Sequence, residues 1–270
     1  MHRFSFMKMR LRETIGWTQS SDEHLPEVER MQSAMTNGSA TKYDYYFFPG
    51  AACFYAINCY LEGDAQKTDK AARLVVSATL KYFYGDWRKQ LPTPDGKVGH
   101  EEWKPFCLWY EQVMRSLPWA CAERDWVAVR RIAEYPPENK LPEAAKVKGE
   151  TAWGWALIAF LRGRPKEQVE HFLAKAEADK AKRPKLLCLV LRALMDNDAK
   201  QFEKTLLAYL AYYRKSEFKR QLSKLLALDG TTLYHLGRKH GYIVSLPEDV
   251  AEHIIQLPDD ASGFTASFSA

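Results

Sequence analysis

Three stretches of the sequence share one layout, and this internal repeat is the feature that most constrains the fold. They are ACAERDWVAVRRIA at 120–133, AFLRGRPKEQVEHFLAKA at 159–176 and ALMDNDAKQFEKTLLAYL at 193–210. Each places an Ala at the end of an apolar helix, then a tight polar turn, then an amphipathic helix. The starts lie 39 and 34 residues apart, which is the spacing of helix-turn-helix repeats. The layout predicts stacked helical pairs in a tetratricopeptide-like array over about residues 116–257.

The residues in the turns favour this interpretation. Asp125 and Asp198 stand where an N-cap oxygen accepts the first unpaired backbone amides of a helix, and Pro165 suits a first helical position. The helices before two of the turns, TAWGWALIAFL and KLLCLVLRAL, are apolar on all sides. Such helices are typical of the inner layer of a helical-pair array.

Apolar residues at a period of 3.6 also dominate the first half of the chain. They predict helices at about 22–36, 48–61, 65–84 and 101–116, with a loop at 86–100 and a break or kink at Pro118. Two short segments, 43–48 and 242–246, have the composition of strands. We predict an all-α protein with one domain over 1–257, of which about 1–115 form an N-terminal helical region, followed by a flexible tail at 258–270.

Composition and charge limit the class of protein. The five cysteines are odd in number and lie among apolar neighbours, which is typical of buried thiols in a reducing compartment. No segment has the features of a signal peptide, and the longest uncharged stretch, 151–161, is too short to span a bilayer. We expect a soluble, cytoplasmic protein. Its net charge of +5 permits an acidic protein or nucleic acid as partner.

The segment 226–249 brings Asp229, His235 and His240 within a few turns of helix. Two His residues five positions apart point about 140° apart on a helix, so they do not suit a shared metal ion. A structural interpretation accounts for the segment, with Asp229 as N-cap and Gly241 as left-handed C-cap. Motifs of zinc proteases, phosphate-binding loops and serine hydrolases are incomplete or missing. The sequence predicts no catalytic, cofactor or metal site, and no enzyme.

The segment 211–224 is the strongest candidate for a binding surface, because basic and aromatic residues are interleaved in it. Trp153 and Trp155 lie two apart on a predicted helix, so they cannot share one face, and we expect one of them to be partly exposed. The predicted partner-binding residues are Tyr213, Arg214, Lys215, Lys219, Arg220 and Trp153.

The carboxyl half, ALMDNDAKQFEKTLLAYLAYYRK followed by LALDGTTLYHLGRKHGYIVSLPEDVAEHII, resembles the immunity protein 49 family of bacterial polymorphic toxin systems. The resemblance covers about residues 100–257 in pattern. The positions that carry it are Asp229, Gly230, Leu233, Leu236, Arg238 and Gly241, with Leu246 and Pro247 after them. It implies a non-enzymatic inhibitor that binds one cognate toxin in the cytosol, the toxin being encoded by an adjacent gene.

Two other functions remain open at this stage. A tetratricopeptide-like adaptor or chaperone would bind several unrelated peptides instead of one protein. A nucleic-acid-binding helical protein would lose affinity steeply with salt; the mild net charge makes this alternative weaker.

Overall fold

A computed structural model describes residues 20–85, 106–135, 149–217 and 226–257, with no side-chain description for Lys42, 106–110 or 216–217. Within these ranges the chain is helical and forms no strand, so the prediction of an all-α protein is confirmed. No helix in these ranges has both the length and the apolar character needed to cross a membrane. The helices are α1 (Ser21–Thr36), α2 (Lys42–Glu62), α3 (Ala65–Tyr84), α4 (Phe106–Ala122), α5 (Trp126–Glu134), α6 (Gly149–Leu161), α7 (Lys166–Glu177), α8 (Lys182–Met195), α9 (Ala199–Tyr212), α10 (Leu228–Lys239) and α11 (Glu248–Ala251), and a π turn over Tyr213–Glu217 extends α9.

One prediction for the first half, a strand at 43–48, is wrong, and the break predicted as one possibility at Pro118 does not occur. The segment 43–48 is the first part of α2 and not a strand, because Thr41 and Asp44 form a capping box in which the Asp44 carboxylate accepts the Thr41 amide at 2.7 Å. Helix α4 continues through Pro118. Its residues Val113, Leu117 and Trp119 are fully buried, and this packing outweighs the one backbone hydrogen bond that proline removes. The other proposed strand, 242–246, has no regular structure. The predicted loop at 86–100 and tail at 258–270 lie outside the described residues.

The three predicted hairpins turn with the same backbone geometry. The residue at the centre of each turn is left-handed, with φ of 58° at Arg124, 66° at Gly163 and 55° at Asn197. The next amide bonds to the carbonyl five residues earlier at 3.0 Å in every case: Asp125 to Ala120, Arg164 to Ala159 and Asp198 to Ala193. This is the Schellman pattern. The Ala that begins each aligned stretch of sequence is therefore the acceptor that closes its turn.

Two of the three hairpins begin their second helix with an Asp cap. The Asp125 carboxylate accepts the amide of Ala128, and the Asp198 carboxylate accepts that of Gln201, both at 2.9 Å. Pro165 is the N-cap of α7 and not its first residue, because the turn before α7 is one residue longer than the other two. Both Asp caps were predicted correctly.

Helix α6 is buried on every side. All eight residues from Ala152 to Ala159 are buried, and Trp153 and Trp155 are each only 1% exposed. Helices α4, α5, α7 and α8 all contact α6, so no face of it is left for solvent. The prediction that one of the two tryptophans is exposed is wrong, and Trp153 belongs to the core instead of a partner-binding surface.

Helix α10 is the second helix without a solvent face, since the nine residues Asp229–Gly237 are all buried. It contacts α4, α8 and α9. Its N-cap is Ala227 and not Asp229, whereas Gly241 is left-handed as predicted, with φ of 81°. The packing of α10 on α9 is close because a glycine faces α9: a Cβ on Gly237 would lie 2.4 Å from a ring carbon of Phe202.

The segment 253–257 ties the N-terminal helices to α10. Tyr60 on α2 donates its hydroxyl to the Ile254 carbonyl at 2.8 Å and accepts the Gln256 amide at 3.2 Å. On the other side, the amide of Ile255 donates to the Thr231 hydroxyl at 3.1 Å. One hydrophobic cluster extends from α1 through all the hairpins to this segment.

Candidate partner-binding surface

The basic segment at the end of α9 lines an open cavity of about 470 Å³. Arg214 and Lys215 form its rim, and both side chains are exposed. Arg214 makes an ion pair with Asp249 across the cavity. The remaining wall is mostly apolar and consists of Leu207, Ala211, Pro247 and Val250. We call these seven residues the basic cavity.

The backbone turns Arg214 and Lys215 outward through the π turn at Tyr213–Glu217. Such turns are rare and occur frequently at functional sites. Tyr213 stabilises the turn, because its side chain is buried and its hydroxyl donates to the Leu226 carbonyl at 2.9 Å. Tyr213 is thus a supporting residue and does not present its ring to a partner.

Of the six predicted binding residues, Arg214 and Lys215 are brought together at one surface. Tyr213 and Trp153 are core residues, for the reasons given above. Lys219 and Arg220 lie outside the described residues. The interleaving of basic and aromatic residues therefore pointed to exposed basic side chains at the end of α9, but it could not distinguish the aromatic ring that packs inward.

Sequence reasoning missed a second surface, on α2. Tyr43 and Phe47 are 59% and 53% exposed, and their rings stack with centroids 6.4 Å apart. They border a cavity of about 390 Å³ whose apolar lining includes Met31, Ala51 and Phe54. The signal was present as two aromatic residues four positions apart, which share a helix face. This spacing was not recognised as a helix face because residues 43–48 were predicted to form a strand.

Charged pairs of both signs surround these two rings. Arg30 donates to Asp44 at 2.8 Å and to Glu27 at 3.0 Å, and Arg115 pairs with Glu111 at 3.1 Å. Arg30, Glu27, Asp44 and Arg115 also line the cavity. We call Tyr43, Phe47, the cavity beside them and these five charged residues the Tyr43–Phe47 patch.

The two residues of 226–249 that most suggested chemistry have structural partners. Asp229 accepts from Arg183 of α8 at 2.6 Å, and Arg183 also donates to Glu150 of α6 at 2.8 Å. The Nε2 atom of His235 lies 2.8 Å from the Ile255 carbonyl, and burial lowers the pKa of His235 to about 4. Among the described residues, no three His, Cys, Asp or Glu side chains are grouped as metal ligands would be.

Glu123, in the first hairpin turn, has the most strongly raised pKa of the carboxyl groups that the structure describes. Its side chain is 7% exposed, its Oε2 lies 3.6 Å from Arg73 of α3, and its buried Oε1 has no hydrogen-bond partner among the described residues. Burial raises its pKa to about 7, the nearby carboxylates of Asp69 and Asp125 add to the rise, and Arg73 opposes it. The turn therefore acquires a poorly solvated negative charge as the pH rises through neutrality.

Replacing Glu123 with Gln is expected to raise the free energy of unfolding by about 2 kcal/mol at pH 8 and to leave it nearly unchanged at pH 5. Between the unfolded pKa of 4.5 and the folded pKa of about 7, the native state holds a proton that the unfolded state releases. Stability contributed by this group therefore falls as the pH rises through that window. Urea unfolding of both proteins from pH 5 to pH 8 measures the difference.

His235 provides a control of opposite sign. Its folded pKa of about 4 is below the ordinary 6.5, so its contribution is complete above pH 6.5 and is lost as the pH falls. The Glu123→Gln variant should still lose stability as the pH falls, because His235 is unchanged. It should no longer lose stability as the pH rises from 5 to 8. Parallel stability curves for the variant and the parent protein would contradict the assignment to Glu123.

Comparison with protein-family models gave no match, and searches of curated proteins and of solved structures gave none either. The features that bear on function are therefore the two surfaces described above and the sequence pattern at 229–241. Of the two surfaces, only the basic cavity combines apolar walls with a rim on which a lysine makes no ion pair with the described carboxylates.

Proposed function

We propose that this protein is an immunity-type inhibitor that binds and neutralises a cognate protein toxin through the basic cavity. The observation that carries the proposal is the position of Arg214 and Lys215 above the apolar walls formed by Leu207, Pro247 and Val250. A partner could place an apolar side chain in this cavity and a carboxylate beside Lys215. It would then form an apolar contact and an ion pair at the same site. Central apolar anchors of this kind account for most of the affinity in protein complexes.

The charge of the surface supports an acidic partner. Asp249 already balances Arg214, so Lys215 supplies the cation that remains for a carboxylate of the toxin. Complementary charge accelerates association and discriminates against wrong partners. The resemblance of 229–241 to the immunity protein 49 family is the independent reason for choosing a toxin as the partner.

The scaffold that holds this surface is, we propose, a tetratricopeptide-like array. The Schellman bond and the left-handed residue that the turns at Arg124, Gly163 and Asn197 share support a structural repeat. Contacts between α10 and α4 go beyond the nearest-neighbour contacts of an open array. A rigid scaffold of this kind limits the conformational entropy that ordering a binding surface would cost.

Charge reversal of Lys215 to Glu is expected to weaken toxin binding at least about tenfold, because the new carboxylate would repel the acidic partner. The protein to be tested as partner is the product of the adjacent gene. It is co-expressed with this chain, and the affinity is then measured by surface plasmon resonance or calorimetry. The same variant should protect cells that express the toxin less well than the parent protein does.

The matched control is Lys200→Glu. Lys200 is exposed in the first turn of the same helix, on the order of 20 Å from Lys215 at 1.5 Å per residue. Its reversal changes net charge equally and should leave affinity within about twofold. Equal losses in both variants would point to general electrostatic attraction, and binding to no product of the neighbouring genes would remove the immunity proposal.

An adaptor that binds extended peptides is the second candidate, because the three equivalent hairpin turns are what such repeat scaffolds share. It predicts micromolar binding to several unrelated peptides and little effect of Lys215→Glu. Binding to DNA or RNA that falls steeply with salt would instead favour the nucleic-acid alternative.

A further inference from the structure

We propose that the Tyr43–Phe47 patch is the interface of a homodimer, in which a second copy of this chain packs on the first around a twofold axis. This inference is independent of the toxin-binding proposal, which concerns a different surface. It rests on the shape of the patch and on its charges.

The exposed rings of the patch differ from the other exposed apolar side chains. Val127, Leu189 and Ile243 are 66%, 44% and 89% exposed, but each lies on a separate element, and isolated exposure of this kind is ordinary. Tyr84 is 45% exposed, but its hydroxyl donates to the Arg131 carbonyl at 2.7 Å and the Arg131 guanidinium lies 5.0 Å from its ring, so contacts within the chain already engage it. Tyr43 and Phe47 instead form one continuous stacked surface beside a cavity. Aromatic residues and arginine together are the composition of interface centres.

A twofold interface must be complementary to itself, and the patch has both parts of such a fit. The Phe47 ring projects into solvent, while the neighbouring cavity of about 390 Å³ is lined by Met31, Ala51 and Phe54. In a symmetric pair, the ring of each copy would enter the cavity of the other. The two rings of one copy and the two of its partner would then form the apolar centre.

The charges around the patch favour a second copy over a partner of one sign. Arg30 and Arg115 are each accompanied by carboxylates, those of Glu27 and Asp44 and that of Glu111. A uniformly acidic or basic partner would meet repulsion on part of this rim. A twofold rotation can set each arginine of one copy against a carboxylate of the other, which is the arrangement that electrostatic complementarity requires.

Sedimentation velocity of the full chain over about 1–100 µM, the range in which moderate protein dimers dissociate, tests the proposal. We expect a monomer to dimer transition, and Phe47→Ser should raise the dimer dissociation constant at least about tenfold. Helical content by circular dichroism should not change, because the Phe47 side chain is half exposed. Ile243→Ser is the matched control: it removes a more exposed apolar side chain from another surface and should leave dimerisation unchanged.

A charge exchange separates a specific interface from general stickiness. Arg115→Glu should weaken the dimer, and the double variant Arg115→Glu with Glu111→Arg should restore it, because both the pair within one chain and the pair across the axis are re-formed. A chain that is monomeric at every concentration would overturn the proposal. Loss of toxin binding in a monomeric Phe47→Ser variant would also overturn the proposal, since the patch would then be the binding surface for the toxin. Lys215→Glu should leave the dimer intact, so failure of either proposal can be recognised separately.

Discussion

Gly237→Ala is expected to lower the free energy of unfolding by about 3 kcal/mol, although alanine is the better helix former. The new Cβ would lie 2.4 Å and 2.6 Å from two ring carbons of Phe202, well inside van der Waals contact. Phe202 is fully buried on α9, so its ring cannot swing into solvent, and the two helices would have to separate. The gain of about 1 kcal/mol from replacing a helical glycine is too small to compensate. Urea denaturation followed by circular dichroism measures the change.

A second substitution tests whether the clash is the cause. Phe202→Leu removes the ring carbons that the new methyl group would meet, so the double variant should be more stable than the sum of the two single effects predicts. Gly50→Ala is the matched control, since its Cβ would have ordinary contact, 3.4 Å from an Arg115 nitrogen. That change should be neutral or stabilising by up to about 1 kcal/mol. Additive effects in the double variant would contradict this account.

Asp229→Ala is expected to destabilise the protein by about 3–5 kcal/mol, the range found when one partner of a buried ion pair is removed. The Asp229 side chain is 7% exposed and that of Arg183 is 26% exposed. Without Asp229, the Arg183 guanidinium keeps Glu150 as its nearest described carboxylate, which is 57% exposed and lies on the solvent side. The Arg183 guanidinium would remain largely desolvated after losing one of its two ion pairs. The packing of α8 against α10, which this ion pair joins, would therefore be destabilised.

Two further variants locate the effect. Glu150→Ala removes the exposed carboxylate of the same arginine and should cost less than about 1 kcal/mol, as exposed pairs do. Arg183→Met combined with Asp229→Leu replaces the pair by apolar side chains of similar size and should recover most of the stability. Equal costs for Asp229→Ala and Glu150→Ala would show that burial of the pair is unimportant.

The hairpin turns could be predicted from sequence because everything that determines them is local. Each turn has an Ala at a fixed spacing before the N-cap, which is Asp in two turns and Pro165 in the third, and these residues all lie within about six positions. The helices of the first half were predicted for the same reason, from periodicity alone. Capping explains the error at 43–48, since Thr41 and Asp44 start a helix where the composition of this segment favours a strand.

Burial of α6 and α10 could not be predicted, because it depends on helices that are distant in sequence. Trp153 is 1% exposed on a helix that the distant helices α4 and α8 contact, in addition to its chain neighbours α5 and α7. The bond between Arg183 and Asp229 joins residues 46 positions apart, and no local pattern announces it. For the candidate binding surface, the sequence pointed to Arg214 and Lys215, but Pro247 and Val250 of the apolar wall could be assigned only from the three-dimensional arrangement.

The bond from Tyr60 to the Ile254 carbonyl also constrains how the chain can assemble. The two residues are separated by 194 positions, whereas individual helices form within about a microsecond. Closing so long a loop costs chain entropy before any contact repays it. The hairpins can therefore be complete while α2 and the 253–257 segment are still apart, and docking of that segment becomes the step that closes the core. We therefore expect docking of the 253–257 segment, and not helix formation, to be the slow step in the folding of this protein.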